Sequence, residues 1–479
     1  MVWIKKHFWE IALVILLFTI GFYFRLKGIS TNHSFWSDEA FTSAIARDIL
    51  IGKTSFTNGI SVLEYQRMQI ISNLISFKLF GLSEWSARIP SVLWGSLGIV
   101  FAYLLAKRHS NRGGGFLAAF LFTFLQLNLA HSTQAKPYAA IETLLLATIY
   151  FVDKNIVLAI ALAILATLFN YLGIVAFIPV VIHFCKYLVE IKKKPVVILA
   201  LSIFMISLFW ILRLDKMLLL LTRANYNWTT YLRELFWRQF SFITLPAIFG
   251  LFLIKNKKAL FGILLTALAL IFSWNFISYS RNLRYLMPIF GLLLVLFGIF
   301  WGKVGEILSK KSTLACVFVS LLIFAGGYKI VRKPATYYTP NADFFADVQN
   351  ADYKHFFKLV YEKFPDFDTQ VVYADMYDYM SWYTHKIPNA ILSKGYEETK
   401  NYPYINVPAY SSLQLFKGDI RKNPKGFLIV EDWQSYTPDD IKEYAKRNLK
   451  LEIRVESMSV SPNDKWPLEL YSWGFEKNK

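Results

Sequence analysis

Residues 9–24 read Trp9-Glu10-Ile11-Ala12-Leu13-Val14-Ile15-Leu16-Leu17-Phe18-Thr19-Ile20-Gly21-Phe22-Tyr23-Phe24, with Glu10 the one charged residue. A stretch of this kind, near the ~20 residues that cross a bilayer, reads as a membrane span. Further apolar runs follow at about 89–106, 114–130, 138–152, 156–169, 171–189, 196–212, 237–254, 259–277, 285–301 and 313–331. The turn at Asn170-Tyr171 between two of them is very tight. The pattern predicts a mainly α protein: a polytopic transmembrane helical bundle of about eleven spans, followed by a C-terminal extracytoplasmic α/β domain. Lys5-Lys6 precedes the first run, but no small-residue cleavage site follows it, so a retained helix is expected rather than a signal peptide.

Charge orients the bundle. With the N-terminus inside, the inner loops carry Lys5-Lys6, Lys107-Arg108 with Arg112, Lys192-Lys193-Lys194, Lys255 with Lys257-Lys258, and Lys303 with Lys310-Lys311. This alternation follows the positive-inside rule and puts both the first loop and residues 332–479 on the outer face of a plasma (inner) membrane. The expected division is 1–331, a membrane domain with a long outer loop at 25–88, and 332–479, a soluble domain. Mean hydropathy is +0.38 and net charge +19. Residues 1–331 hold 32 Lys and Arg against 12 Asp and Glu, whereas 332–479 hold 20 against 21. The basic excess therefore belongs to the membrane half and fits cytoplasmic loops and membrane lipid phosphates; no basic patch sits in a soluble nucleic-acid-reading motif. Two cysteines, Cys185 and Cys316, provide neither a disulfide framework nor a zinc cluster.

In the C-terminal region Asp343 to Phe364 reads as a helix, and Val371-Val372-Tyr373-Ala374 and Phe427-Leu428-Ile429-Val430 as buried strands. Pro438-Asp439-Asp440 opens a helix running to Asn448; Leu451 to Val460 and Leu468 to Phe475 alternate like strands. The acids Asp375, Asp378, Glu431 and Asp432 read as solvated surface. No repeat or low-complexity tract stands out.

Within a membrane domain so poor in acids, the first outer loop holds Phe35-Trp36-Ser37-Asp38-Glu39-Ala40-Phe41. Carboxylates beside hydrocarbon are costly and mark function. Two readings coexist: Ser37 or Asp38 caps a helix beginning near Glu39, and a carboxylate against an apolar surface acts as a general base toward a hydroxyl. Amphipathic stretches at Phe41 to Leu50 and Ile70 to Leu82 would lie as helices along the interface. Arg67, Lys136, Arg281 and Arg284 fall on the outer side, against the positive-inside bias, where each either snorkels to headgroups or binds an anionic partner such as phosphate. His33, His131, Asp38 and Glu39 match no metal-ligand spacing. Trp36, Trp85, Trp94 and Tyr138 suit either an interfacial belt or sugar stacking.

These motifs resemble the GT-C superfamily of polytopic glycosyltransferases, in particular the protein O-mannosyltransferases and aminoarabinose transferases grouped around glycosyltransferase family 39. The resemblance rests on Trp36-Ser37-Asp38-Glu39 after the first span, on the stretch from Phe80-Gly81-Leu82-Ser83-Glu84-Trp85 to Trp94-Gly95, on His131-Ser132-Thr133-Gln134-Ala135-Lys136-Pro137-Tyr138, and on Arg284-Tyr285 before Pro288. It covers residues 10–330 in order and topology. The chain departs from the pattern at Glu64-Tyr65-Gln66-Arg67, where many relatives have a His-Pro-Pro-Leu-like segment, and at Gln134-Ala135-Lys136, where many carry an acid. The second departure leaves Asp38 as the best single base and a divalent metal without support; no cofactor is firmly implied.

The resemblance implies transfer of a sugar from a polyprenyl-phosphate donor to an acceptor hydroxyl on the outer face, by single displacement with inversion. Asp38 would be the base, with Glu39 beside it. Arg67, Lys136, Arg281 and Arg284 would hold the donor phosphate, and Tyr65, Gln66, His131, Tyr138 and Tyr285 would contact substrate. The acceptor is a glycan, lipid or protein. The rival expectation is a transporter or flippase for a lipid-linked precursor, which would show internal repeats and polar groups deep in its spans.

Overall fold

A computed structural model of the chain describes all residues except 1, 28, 30–33, 192–202, 204, 205, 208, 211, 213–239, 256–261, 265, 267–285, 309–311, 328, 329, 335–350, 395–400, 403, 404, 432–434, 457–466 and 476–479. The helices are α1 Val2–Leu26, α2 Ser37–Leu50, α3 Phe56–Val62, α4 Arg67–Phe80, α5 Glu84–His109, α6 Arg112–Phe124, α7 Gln126–Ser132, α8 Tyr138–Phe151, α9 Ile156–Phe169 and α10 Phe177–Ile191. They continue as α11 Ser241–Phe252, α12 Met287–Leu308, α13 Ser312–Gly326, α14 Tyr353–Lys363, α15 Tyr377–Tyr383, α16 Leu413–Ile420 and α17 Asp439–Asn448. The strands are β1 Val371–Ala374, β2 Ala390–Leu392, β3 Asn401–Tyr402, β4 Val407–Tyr410, β5 Gly426–Glu431, β6 Lys450–Val455 and β7 Leu468–Trp473. The chain forms two compact units. One joins Met1–Thr31 to Leu63–Ala346; the other joins Asn32–Val62 to Asp347–Lys479.

Among the described residues of the first unit, three helical segments are long and apolar enough to cross a membrane: His7–Leu26, Glu84–His109 and Met287–Leu308. Shorter apolar helices of 10–17 residues accompany them. Local chemistry sets their ends. Ser83 accepts from the Ser86 amide at 3.1 Å and starts α5 five residues before its apolar run. Asn111 caps α6, accepting from the Gly114 amide at 3.0 Å. The apolar run 114–130 does not continue as one helix. It breaks at Leu125, which forms an antiparallel bridge with Ile330, while the Val331 amide donates to the Phe124 carbonyl at 2.9 Å. The tight turn is real: Asn170 accepts from the Leu172 amide at 3.0 Å and opens a 3-10 helix, Tyr171–Ala176, that leads into α10. The runs 196–212 and 259–277 lie mostly outside the described residues.

Association of helices in lipid relies on close packing and polar contacts, since burying apolar surface from lipid gains little. Both are present. A Cβ at Gly298 of α12 would sit 2.3 Å from the Gly114 carbonyl oxygen, so the α6–α12 crossing requires glycine. Arg25, fully buried, donates to the carbonyls of Gly21 at 3.1 Å and Phe122 at 2.9 Å, tying the end of α1 to α6. Glu142 of α8, also buried, accepts from Asn128 of α7 at 2.9 and 3.1 Å and feels the charge of Arg25.

In the second unit a seven-stranded mixed sheet has the order β3-β4-β2-β1-β5-β7-β6. Strands β4, β2, β1 and β5 run parallel, and β3, β6 and β7 pair antiparallel at the edges. Strand β5 is buried along its whole length, as a central strand covered on both faces must be. Tyr373, Phe416, Leu428, Val430 and Ile441 form its core. The strands expected at 371–374, 427–430 and 468–475 and the helix to Asn448 are all found, within a residue or two of their expected ends. The helix expected from Asp343 is described from Tyr353, with Asp352 as its cap, accepting from the His355 amide at 3.1 Å.

Replacing Glu142 with Leu leaves the buried Asn128 amide without the carboxyl it donates to. An unsatisfied buried polar group costs roughly 1–3 kcal/mol. Thermal unfolding of the detergent-purified protein should show a clear fall in Tm for Glu142→Leu and a smaller one for Glu142→Gln.

Candidate functional site

Asp38 and Glu39 lie in the first turn of α2, where acids complement the helix dipole. The helix begins two residues earlier than expected, at Ser37, with Trp36 as its N-cap. Neither Ser37 nor Asp38 supplies the cap bond. Glu39 does: its Oε2 accepts from the Trp36 amide at 3.1 Å, and the side chain is fully buried. The Asp38 side chain stays partly exposed. The Asp38 backbone carbonyl accepts from the Thr42 hydroxyl at 2.7 Å, which tightens the first turn.

The buried face of α2, with Ala40, Ala44, Ile45 and Ala46, packs on α15 of the C-terminal region. The Phe35 amide donates to the Tyr383 hydroxyl at 2.8 Å, and the Phe35 ring lies 5.0 Å from that of Trp382. Arg47 donates to the Trp382 carbonyl at 3.1 Å and stands over its ring. Phe41 meets Tyr377 edge-on at 5.5 Å. Ser34 donates to Asp352 at 3.0 Å and accepts from the Lys354 amide at 3.1 Å.

The same contact includes Asp378, which is half-buried. Its carboxyl is hydrogen-bonded by the Ser37 hydroxyl and interacts with the charge of Asp38. Burial, above all, raises its pKa to about 7; the Asp38 charge adds to this, and hydrogen bonds from Ser37 and Tyr377 oppose it. The expectation of solvated surface is corrected for Asp375 and Glu431, and Asp378 is half-buried. Asp375 Oδ2 accepts from the Ser435 hydroxyl (2.7 Å), the Tyr436 amide (2.9 Å), the Thr437 amide (3.1 Å) and the Thr437 hydroxyl (3.0 Å). Glu431 is buried in β5. Asp432 lies outside the described residues.

The membrane unit carries the other described candidates. Tyr65 and Gln66 lie in a 3-10 turn, Glu64–Gln66, that hands over to α4 at Arg67. Gln66 is buried, and the Tyr65 ring lies 6.3 Å from that of Tyr171. His131, Lys136 and Tyr138 come together at the α7–α8 connection. The His131 and Tyr138 rings meet edge-on at 5.8 Å, and the Lys136 carbonyl accepts from the Ser91 hydroxyl of α5 at 3.1 Å. Lys136 is 3% exposed. Arg281, Arg284, Tyr285 and His33 lie outside the described residues. Among the described residues no group of three or more His, Cys, Asp or Glu is placed to hold a metal ion.

Gln134 is a further residue of this connection. It is fully buried, and neither its amide nitrogen nor its oxygen has a hydrogen-bond partner among the described residues. A buried polar group left unsatisfied costs roughly 1–3 kcal/mol and invites a ligand or water. The departure from the acidic residue of many relatives was the sequence signal for it. Gln134→Leu, of similar volume but without the amide, should unfold at higher temperature than wild type in detergent, reflecting a gain of about 1 kcal/mol or more.

Residues 73–212 match the family model of dolichyl-phosphate-mannose-protein mannosyltransferases. No curated protein sequence matches the chain. Among solved structures, ArnT from Cupriavidus metallidurans in the apo state is 12% identical, with a TM-score of 0.62 over 98% of both chains. The same protein bound to undecaprenyl phosphate is 14% identical, with a TM-score of 0.57 over 97% of this chain and 98% of that one. The archaeal oligosaccharyltransferase AglB from Archaeoglobus fulgidus, in complex with an inhibitory peptide and a dolichol-phosphate, is 12% identical, with a TM-score of 0.53 over 89% of this chain and 70% of that one. The chain has the fold of the GT-C glycosyltransferases, as its sequence motifs led one to expect.

Proposed function

We propose that the protein is an integral membrane glycosyltransferase that moves a sugar from a polyprenyl-phosphate donor to an acceptor hydroxyl on the extracytoplasmic face. The observation that carries this reading is the arrangement at the start of α2. Glu39 caps the helix, and Asp38, partly exposed, sits in the same anchored first turn. Support comes from the match over residues 73–212 and from a fold shared with proteins whose structures hold undecaprenyl phosphate and dolichol-phosphate.

Asp38 accepts the proton of the acceptor hydroxyl while that oxygen attacks the anomeric carbon. A new C–O bond forms on one face of the sugar as the bond to the phosphate oxygen breaks on the other. The electron pair leaves with the polyprenyl phosphate, so the configuration inverts. Arg67 and Lys136, with Arg281 and Arg284, neutralise the developing phosphate charge, and a leaving group so stabilised needs little acid help. Tyr65, Gln66, His131, Tyr138 and Tyr285 line the substrate path, and the unsatisfied amide of Gln134 suits a sugar hydroxyl. Glu39 holds Asp38 in place. The sugar and the acceptor, whether glycan, lipid or protein, stay open.

The rival reading, a flippase for a lipid-linked precursor, gains something from the buried Arg25 and Glu142. Those two residues close helix–helix contacts within the bundle rather than lining a path.

Membranes containing wild type or Asp38→Asn, supplied with labelled polyprenyl-phosphate sugars, distinguish the readings. Asp38→Asn should cut transfer by about 10²–10⁴-fold with unchanged expression; equal transfer removes Asp38 from the mechanism, and lipid movement without transfer favours the flippase. Lys136→Ala should raise the donor KM by roughly 10–100-fold, the worth of one charged hydrogen bond, and leave the acceptor KM unchanged.

A further inference from the structure

Gln134 sits in a setting that leaves its side chain no protein partner. The α7–α8 connection, residues 133–137, is neither helix nor strand, yet it is buried along its whole length. Thr133 and Ala135 are 1% exposed and Gln134 is 0% exposed. Connections normally run over the surface, where water meets their polar groups. Here the backbone is satisfied internally. The Thr133 amide donates to the Leu129 carbonyl at 3.1 Å, the Lys136 amide to the Gln134 carbonyl at 2.7 Å, and the Ile141 amide to the Pro137 carbonyl at 3.0 Å. The neighbouring hydroxyls also donate to carbonyls: Thr133 to Ala130 at 3.0 Å, Ser132 to Asn128, and Ser91 to Lys136 at 3.1 Å. None of these three protons is directed at the Gln134 side chain, whose Oε1 and Nε2 both lack a partner among the described residues. A buried group that lowers stability in this way is a recurrent cost of function.

The carboxamide also restricts what it can take. It is planar and presents an acceptor and a donor side by side. Two adjacent hydroxyls of a sugar ring can each donate and accept, so together they meet both atoms, whichever way the amide is turned. A single hydroxyl leaves one atom unmet. The acetamido group of an N-acetylated sugar is a trans amide, with its N–H and C=O on opposite edges, and cannot meet both atoms at once.

We propose that Gln134 is a specificity-determining residue for the donor: its side chain reads two adjacent hydroxyls of the transferred sugar. The inference rests on the reading of the α7–α8 connection as part of the donor site, and it narrows the donor to sugars with an unmodified vicinal pair. A donor lacking either hydroxyl leaves half of the amide unmet in the complex, which is how a polar site rejects an analogue.

The test uses the full chain in detergent with undecaprenyl-phosphate mannose, glucose and galactose, each with its 2-, 3- and 4-deoxy form. For a sugar that wild type transfers, kcat/KM should fall roughly 10–100-fold on deoxygenation at two neighbouring positions. Gln134→Leu should narrow those two ratios to within about twofold, the scatter expected of groups that do not interact. Gln134→Met, also apolar and of similar volume, should do the same. Comparing wild type with variant cancels the intrinsic reactivity of each deoxy sugar. Ratios that survive in both variants overturn the inference and leave the amide to an internal water. A variant effect at a single position, or at positions 2 and 4 without 3, overturns it as well.

Donor binding, read as the rise in Tm that each lipid gives, separates this inference from the wider one. If wild type transfers nothing but its Tm rises follow the deoxy pattern and flatten in Gln134→Leu, the glycosyltransferase reading fails and the recognition by Gln134 stands. If wild type transfers with a pattern that Gln134→Leu leaves unchanged, only the role of Gln134 fails. Neither transfer nor a Tm rise from any of the three sugars sinks both.

Discussion

The capture of helix α2 by helix α15 is the contact on which the candidate site depends. A carboxylate in a loop between a membrane span and a second helix would sample many positions, and a base must be held within a few tenths of an ångström of its task. Here the Phe35 amide is bonded to Tyr383, the Phe35 ring packs on Trp382, and Arg47 closes the far end. The polar half of the contact joins backbone to side chain, so it fixes the path of the chain as well as its side chains. The C-terminal domain is thus more than cargo on a membrane bundle: it contains the helix that bears Asp38.

The membrane unit meets a different constraint. With lipid as solvent, its helices are joined by a glycine crossing between α6 and α12 and by the buried groups Arg25, Asn128 and Glu142. The interruption at Leu125 follows from the same economy of polar groups. Ending α6 exposes the Phe124 carbonyl, and the Val331 amide satisfies it. The break creates the short α7, and with it the α7–α8 connection where His131, Gln134, Lys136 and Tyr138 gather.

Much of this could be read from residues alone. Strands β1, β5 and β7 and helix α17 follow from runs of β-branched and apolar residues bounded by turn formers and from an acidic first turn, all local signals. Helix α2 was legible for the same reason. What α2 packs against was not, because amphipathicity reports an apolar face without naming its partner, and an interfacial helix and a domain-docked helix look alike. Asp378 was missed for a related reason: an acid in a polar region looks like surface until a segment from the other end of the chain covers it. The run 114–130 read as one helix because hydropathy is blind to a break in which Leu125 remains fully buried.

The proposed account has three parts: a lipid-phosphate leaving group held by cations, an acceptor oxygen deprotonated by a carboxylate, and a C-terminal domain that holds the helix bearing that carboxylate. The most direct measurement follows the lipid product. The purified protein is incubated with synthetic polyprenyl-phosphate sugars in the presence and absence of membrane-extracted acceptors, and free polyprenyl phosphate is quantified by mass spectrometry. The account predicts release of free polyprenyl phosphate that depends on acceptor and on enzyme concentration, with the sugar recovered on the acceptor in inverted configuration. Donor recovered intact with every sugar and every acceptor extract would contradict it.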